Sequence, residues 1–295
     1  MKKGIVIRAF SSSSSFLGDT SFLNSLDDYR KAFELAASKG FEGVQIYTEI
    51  STGFLSLETD DKILQEIGHI ARESGIGLPS LEIAPLQYSV VCDNPEEREK
   101  GLAVVRRALQ MSALLGSSGV LFIPGAVGLP WVKGGGTPVD YEDAFNRTLE
   151  ALQHLAPEAE KLGVSIHIEN IWNMFLLSPL EMRQLVDQAE SNSVGVLLDV
   201  GNVLQFGFPE QWIRILGKRI HEVHLKDFRR SVGSVEGFVP LLAGDANWPV
   251  IMQALTEINY QGYLIAEAFP YDTYGETLLE HLSVTMDRLI GACQP

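Results

Sequence analysis

Cysteine is almost missing from this chain. Cys92 and Cys293 are its two cysteines, far apart and without partners at any metal-type spacing. A disulfide framework and a structural zinc site are therefore excluded as organising features. Long apolar runs are missing too: no stretch approaches the roughly 18 residues of a membrane span. The apolar residues after Lys2-Lys3 are broken by Arg8, short of the roughly 7–15 that an export signal needs. No membrane association is expected, and a cytoplasmic location follows. Basic charge is scarce: 23 Lys and Arg stand against 38 Asp and Glu, a net charge of −15. Nucleic acid is an unsuitable partner, because its affinity rests on Lys and Arg neutralising phosphates. A local anion site stays open. Nucleotide-gripping glycine fingerprints are absent as well. No G-x-G-x-x-G follows the first apolar run, and no G-x-x-x-x-G-K-[ST] occurs.

What is present is a large apolar fraction, 45% of 295 residues, enough for one large core. Four stretches in the second half share one design, a short Val/Ile/Leu-rich run closed by a group that binds metals or moves protons. They are Val-Ser-Ile-His-Ile-Glu169-Asn170, Val-Gly-Val-Leu-Leu-Asp199, Ile-His-Glu-Val-His224-Leu-Lys226-Asp227 and Tyr-Leu-Ile-Ala-Glu267. Such runs are characteristic of buried parallel strands. Segments with helical spacing lie between them, about one βα unit apart, the last unit enlarged.

The first half continues the alternation. Strands are predicted over residues 4–10, 41–47, 77–84 and 119–123. Helices are predicted from Asp27-Asp28, over 60–74, from Asn94-Pro95 to Leu115 and over 141–162. Asn94 is a good N-cap, and Pro95 suits the first helical position. In the second half, helices are predicted near 179–189, 209–216, 249–258 and 277–290. Glycines such as Gly40, Gly75, Gly116, Gly163 and Gly217 recur as helix stops before the next strand. Eight strands alternating with eight helices predict an α/β chain, a (β/α)8 TIM barrel forming a single domain over 1–295. The serine run 11–15 reads as a mobile first loop. The Gly/Pro-rich loop 125–138 is long enough to be a candidate for function.

In a barrel the site lies at the C-terminal face, where the four polar strand ends fall. Strand alternation puts Ser165, His167 and Glu169 on one face, and Glu222, His224 and Lys226 on another. With Glu169 and His224 inward at the rim, His167 lies one layer deeper and Lys226 above His224. Three carboxylates and an imidazole make an oxygen-rich site suited to Mn2+, Mg2+ or Co2+. Glu169 and Glu267 would flank a ligand from opposite sides. That suits removal of a proton beside a carbonyl and its return from the other face, with the ion as Lewis acid. Duller readings exist for each residue. Asp199 can simply cap a helix, His167 can be a hydrogen-bonded core or supporting histidine, and Lys226-Asp227 can be a surface pair. The weight comes from four independent strand ends agreeing.

Ile-Glu169-Asn170, Leu-Asp199-Val-Gly-Asn202, Val-His224-Leu-Lys226-Asp227 and Ile-Ala-Glu267 resemble the metal-site signatures of the sugar phosphate isomerase/epimerase superfamily. This is the xylose-isomerase-like TIM barrel group, which includes ketose 3-epimerases. The run Val239-Pro240-Leu241 through Gly244-Asp245-Ala246-Asn247-Trp248 is similar to that group's loop after strand seven. The nearest subgroup is the L-ribulose/L-xylulose 5-phosphate 3-epimerase-like proteins. The resemblance implies that Glu169, Asp199, His224 and Glu267 bind one divalent ion (Mn2+, Co2+ or Mg2+). It also implies that Glu169 and Glu267 are the acid/base pair for epimerisation at C3. The substrate would be a small carbohydrate, and a homodimer or homotetramer fits the group.

Free-sugar epimerases carry a histidine where this chain has Asn202, and an arginine where it has Arg230. The mixture leaves a free or a phosphorylated ketose open. Asn202, Lys226 and Arg230 are candidate substrate contacts. Trp131 and Trp172 are placed to stack on a sugar face. Aldose–ketose isomerisation, inosose-type dehydration and work on a 3-keto glycoside use the same first proton removal. A non-catalytic sugar-binding protein and an endonuclease IV-like nuclease are the readings from other classes. The nuclease is disfavoured because the ends of strands three and four offer no histidine for a multi-zinc cluster.

Overall fold

The structure, a computed structural model, describes residues 1–11, 20–129, 138–268, 270–271 and 273–291. Its elements in chain order are β1 (Lys2–Val6), α1 (Leu26–Ser38), β2 (Gly43–Thr48), α2 (Asp61–Glu73), β3 (Leu81–Ile83), α3 (Pro95–Leu115), β4 (Gly119–Phe122), α4 (Tyr141–Leu162) and β5 (Ser165–Glu169). There follow α5 (Pro179–Gln188), β6 (Val194–Asp199), α6 (Val200–Leu204), α7 (Pro209–Leu216), β7 (Ile220–Leu225), β8 (Asp227–Phe228), β9 (Phe238–Val239), α8 (Trp248–Glu257), β10 (Tyr263–Ala266) and α9 (Glu276–Gly291). Eight strands close into a barrel in the order β1-β10-β7-β6-β5-β4-β3-β2, every neighbouring pair parallel. The predicted (β/α)8 barrel is what the chain forms.

Local chemistry sets the helix ends. The Asn94 side chain accepts from Glu96 N–H with Pro95 behind it, and Asp140 and Ser178 do the same for α4 and α5. Gly116 and Gly163 close α3 and α4 at φ 73° and 69°, a left-handed turn that a side chain would strain. The main apolar core lies between the strands and the helical shell, with Ile46, Leu81, Ile166 and Val223 fully buried. Leu121, Ile123 and Leu197 form a separate small apolar cluster with partly buried Ile171. Among the described residues no helix is long and apolar enough to cross a membrane.

Three features differ from the sequence expectation. The first strand stops at Val6, and residues Ile7–Phe10 turn into a 3-10 helix. That turn carries Arg8 into the barrel mouth, where its Nη2 lies 2.8 and 2.9 Å from the two oxygens of Glu82. The third strand is only Leu81–Ile83, its expected start reduced to a bridge between Gly43 and Gly77. After β7 the chain makes an unexpected antiparallel hairpin, β8 with β9. The mobile-loop reading of serines 12–15, most of the long Gly/Pro-rich loop, Trp131 and Cys293 fall outside the described residues.

Candidate active site and metal centre

Asp199 ends β6 and also starts α6. Its Oδ1 accepts the N–H of Asn202 at 2.7 Å, an N-cap bond. The capping reading is therefore correct, but it uses one oxygen only. The other, Oδ2, is buried and accepts no hydrogen bond among the described residues. The Lys226 ammonium lies 3.0 Å from it, off the line that a hydrogen bond needs.

Around that oxygen the other strand ends assemble. His224 Nδ1 is 2.9 Å from Glu267 Oε2, 3.5 Å from Glu169 Oε1 and 3.8 Å from Asp199 Oδ2. Glu169, Asp199, His224 and Glu267 each offer a donor atom within 4.8 Å of the others, a group that could hold a metal ion. A buried carboxylate oxygen without a donor is the kind of group a cation relieves. Three carboxylates with one imidazole suit a hard divalent ion. The residues present fit such an ion.

The charges compensate one another. Lys226 Nζ is also 2.8 Å from Glu267 Oε2, and sits 4.9 Å above the Phe238 ring. Burial alone would push the Glu267 carboxyl up, yet Lys226, His224 and Arg8 outweigh it and hold it well below the usual carboxylate range. Asp199 goes the other way: burial and the neighbouring Glu267 and Glu169 charges push it up to about 7 against the pull of Lys226. Burial disfavours a charged His224, but hydrogen bonds to Glu169 and Glu267 raise it well above its ordinary value. Glu82 is pushed up to about 7 by burial, against Arg8.

The surface-pair reading of Lys226-Asp227 is overturned, since both side chains are buried. Asp227 accepts from four donors: Phe228 N (2.9 Å), Ala246 N (3.2 Å), Gly244 N (3.1 Å) and Trp248 Nε1 (3.0 Å). It pins the loop before α8 to the barrel. His167 is buried one layer below the rim, as alternation requires, with Nδ1 2.8 Å from Glu222 Oε2.

The remaining candidates sit further out. Asn202 Nδ2 donates to the Asn170 carbonyl (2.9 Å), and Trp172 Nε1 donates to the Asn202 carbonyl (3.0 Å). Trp172 stacks on Phe238 at 5.1 Å and meets Phe228 edge-on at 5.2 Å, so much of its ring packs against protein. Arg230 is exposed. Its Nη2 donates to the Gly207 carbonyl (2.8 Å), and its guanidinium lies 4.8 Å from the Phe208 ring centre. Arg8, Glu82, Gln45 and Ser80 were not singled out from sequence. Arg8 Nη2 reaches within 3.6 Å of Glu267 Oε1. Gln45 was findable, since alternation along the second strand turns it inward, but a lone glutamine carries no pattern.

A closed parallel barrel with a carboxylate–imidazole cluster at its C-terminal mouth defines a class, the barrels whose strand ends could hold a divalent ion. The chain belongs to the xylose isomerase-like TIM barrel family, whose match covers residues 33–285. It is similar to an inosose dehydratase of Bacillus thuringiensis (strain Al Hakam), 25% identical over 258 residues, covering 80% of this chain and 84% of that protein. It is similar also to a D-psicose 3-epimerase of Enterocloster bolteae, 26% identical over 273 residues, 88% and 82% of the two chains. In structure it resembles the D-psicose 3-epimerase of Clostridium cellulolyticum H10 solved with D-tagatose. That match has a TM-score of 0.76 and 19% identity over 100% of both chains. At that identity the likeness is one of fold.

Proposed function

We propose that this chain is a divalent-metal-dependent epimerase of a ketose or ketose phosphate, inverting C3. The observation that carries the reading is the pair of carboxylates, Glu169 and Glu267, that both approach His224 Nδ1, at 3.5 and 2.9 Å. Glu169, Asp199, His224 and Glu267 are the residues that would hold one Mn2+, Co2+ or Mg2+. Such an ion, when bound, would supply Lewis-acid polarisation of the ketose carbonyl and its neighbouring hydroxyl. One glutamate removes the C3 proton and the other returns a proton from the opposite face, through a cis-enediolate of the sugar. Lys226, 2.8 Å from Glu267 Oε2, keeps that carboxyl ionised and ready to accept. Asn202, Arg230 and Trp172, together with Trp131, are assigned to the substrate's outer hydroxyls or phosphate.

The inosose dehydratase relatives favour a second reading, elimination of water from a cyclic polyol ketone after the same proton removal. Incubation of the Mn2+-loaded protein with free and phosphorylated ketoses and an inosose in D2O separates the two. Deuterium at C3 with inversion is the expected result. Loss of water from the inosose alone would replace it with the dehydratase, and label at C1 with an aldose–ketose isomerase. No exchange with any of them would overturn the proposal.

A further inference from the structure

Beneath the four strand-end groups, the inside of the barrel is polar where a filled core would be apolar. His224 turns Nδ1 toward the carboxylates, and its other nitrogen, Nε2, lies 3.1 Å from Gln45 Oε1. Gln45 Nε2 faces the other way, 2.8 Å from Ser80 Oγ and 3.3 Å from Glu222 Oε1. Ser80 Oγ donates to the same Glu222 oxygen at 3.0 Å, and Glu222 Oε2 meets His167 Nδ1 at 2.8 Å. All five side chains are buried. The line runs from β5 through β7 and β2 and back to β7, across the middle of the barrel.

The direction of every bond along this line follows from one group. Gln45 Nε2 is the amide atom that reaches Ser80 Oγ and Glu222 Oε1, so its NH2 faces the Glu222 carboxylate. The opposite amide orientation would set a carbonyl oxygen against a carboxylate. With the NH2 facing Glu222, the Gln45 oxygen faces His224 and accepts from Nε2–H. A His224 ring with one proton then carries it on Nε2, and its Nδ1 lone pair is left facing Glu169, Asp199 and Glu267. The far end is held in the same manner. A Cβ on Gly119 would lie 2.6 Å from His167 Cε1 and Nε2, so the strand beside that imidazole has no side chain there. The edge of the His221 ring, 5.3 Å away centre to centre, closes the other side.

We infer that Gln45, oriented by Glu222, Ser80 and His167, is a positioning residue that fixes the tautomer of His224 and so presents Nδ1 to the divalent ion. The inference rests on the metal-centre part of the proposed function and adds to it the device that sets one ligand's chemistry. A supporting partner of this kind is worth roughly 10- to 100-fold in metal affinity.

The experiment is a Mn2+ titration, followed by calorimetry, of the wild type, Gln45→Leu, and the exchange variant Gln45→Glu with Glu222→Gln. The exchange keeps an oxygen facing Nε2 and a donor–acceptor pair between positions 45 and 222, with the charge moved. Gln45→Leu is expected to weaken Mn2+ binding by roughly 10- to 100-fold, and the exchange to restore most of it. Imidazole 15N spectra of the Mg2+-loaded wild type are expected to show the His224 proton on Nε2. Equal Mn2+ affinity in Gln45→Leu would overturn the relay while leaving the metal centre intact, whereas a His224 proton on Nδ1 in the loaded protein would overturn the relay and take His224 out of the ligand set. A wild type that takes up no Mn2+ would overturn the metal centre, and the purpose of the relay with it. Ser80→Ala, which leaves shape unchanged and removes one donor to Glu222, guards against misfolding of the larger changes. It is expected to weaken Mn2+ less than Gln45→Leu, and an equal or larger loss would count against Gln45 as the determining partner.

Discussion

Lys226 and Asp199 form an ion pair at 3.0 Å in which the carboxylate oxygen accepts no hydrogen bond among the described residues, and the same ammonium reaches Glu267 at 2.8 Å. One lysine thus neutralises two of the four groups that converge on the barrel mouth. Lys226→Met leaves those carboxylates buried beside Glu169, with His224 and, for Glu267, the more distant Arg8 to balance them. Breaking a buried pair in this way costs about 3–5 kcal/mol. The metal-free variant is expected to melt well below wild type, and saturating Mn2+ to recover more of the loss than it adds to wild type. Thermal melts with and without Mn2+ check this; equal shifts would argue against the lysine as the internal counter-ion.

Glu169 is buried and 3.5 Å from His224, a position from which a carboxylate can meet a substrate carbon. Glu169→Gln preserves shape and removes the proposed base. Solvent deuterium exchange into the ketose is expected to fall by roughly 10²- to 10⁴-fold, with the far-ultraviolet circular dichroism spectrum unchanged. An exchange rate close to wild type would take Glu169 out of the chemistry.

Asp227 acts on the fold. Its four accepted bonds tie Phe228, Gly244, Ala246 and the Trp248 indole to one carboxylate. Asp227→Ala leaves donors without an acceptor, each worth about 1–3 kcal/mol. Urea denaturation is expected to show a loss of at least about 3 kcal/mol. Asp227→Asn is expected to fall between the two, since its NH2 confronts one set of donors.

His221 gives the protein an acid limb. Burial, with the His167 charge beside it, pushes its imidazole down to about 4 from an ordinary 6.5. Its unfolded form binds a proton first, so its contribution to stability is complete above pH 6.5 and is lost as pH falls through 6.5 toward 4. Melting temperatures measured from pH 7.5 to 4.5 are expected to decline less steeply in His221→Gln than in wild type.

The strand-end groups were readable because a parallel barrel puts the C-terminal ends of its strands at one mouth. Apolar runs ending in Glu169, Asp199, His224 and Glu267 therefore specify a place as well as a secondary structure. Alternation likewise placed His167 below Glu169. Arg8 escaped because residues 4–10 have the composition of one strand. The turn at Ile7 brings Arg8 to a partner, Glu82, that lies far along the chain. Lys226-Asp227 looked like a solvated pair because local sequence does not report burial. The hairpin β8–β9 and the loop held by Asp227 are what enclose that dipeptide. Gln45 was hidden for a further reason, since its meaning arises only when Glu222 and His224 approach it from another strand.

Asp199 divides its two oxygens between separate duties, one fastening the first turn of α6 and the other turned toward the cation-type cluster. The helix and the cluster therefore share a hinge pin. A shift in the α6 backbone, whether from a mutation in its apolar face or from a ligand pressing on Asn202, is transmitted to the four-residue cluster through a single carboxylate. Attempts to reshape this rim for other ligands will meet that tether before they meet any limit set by the barrel.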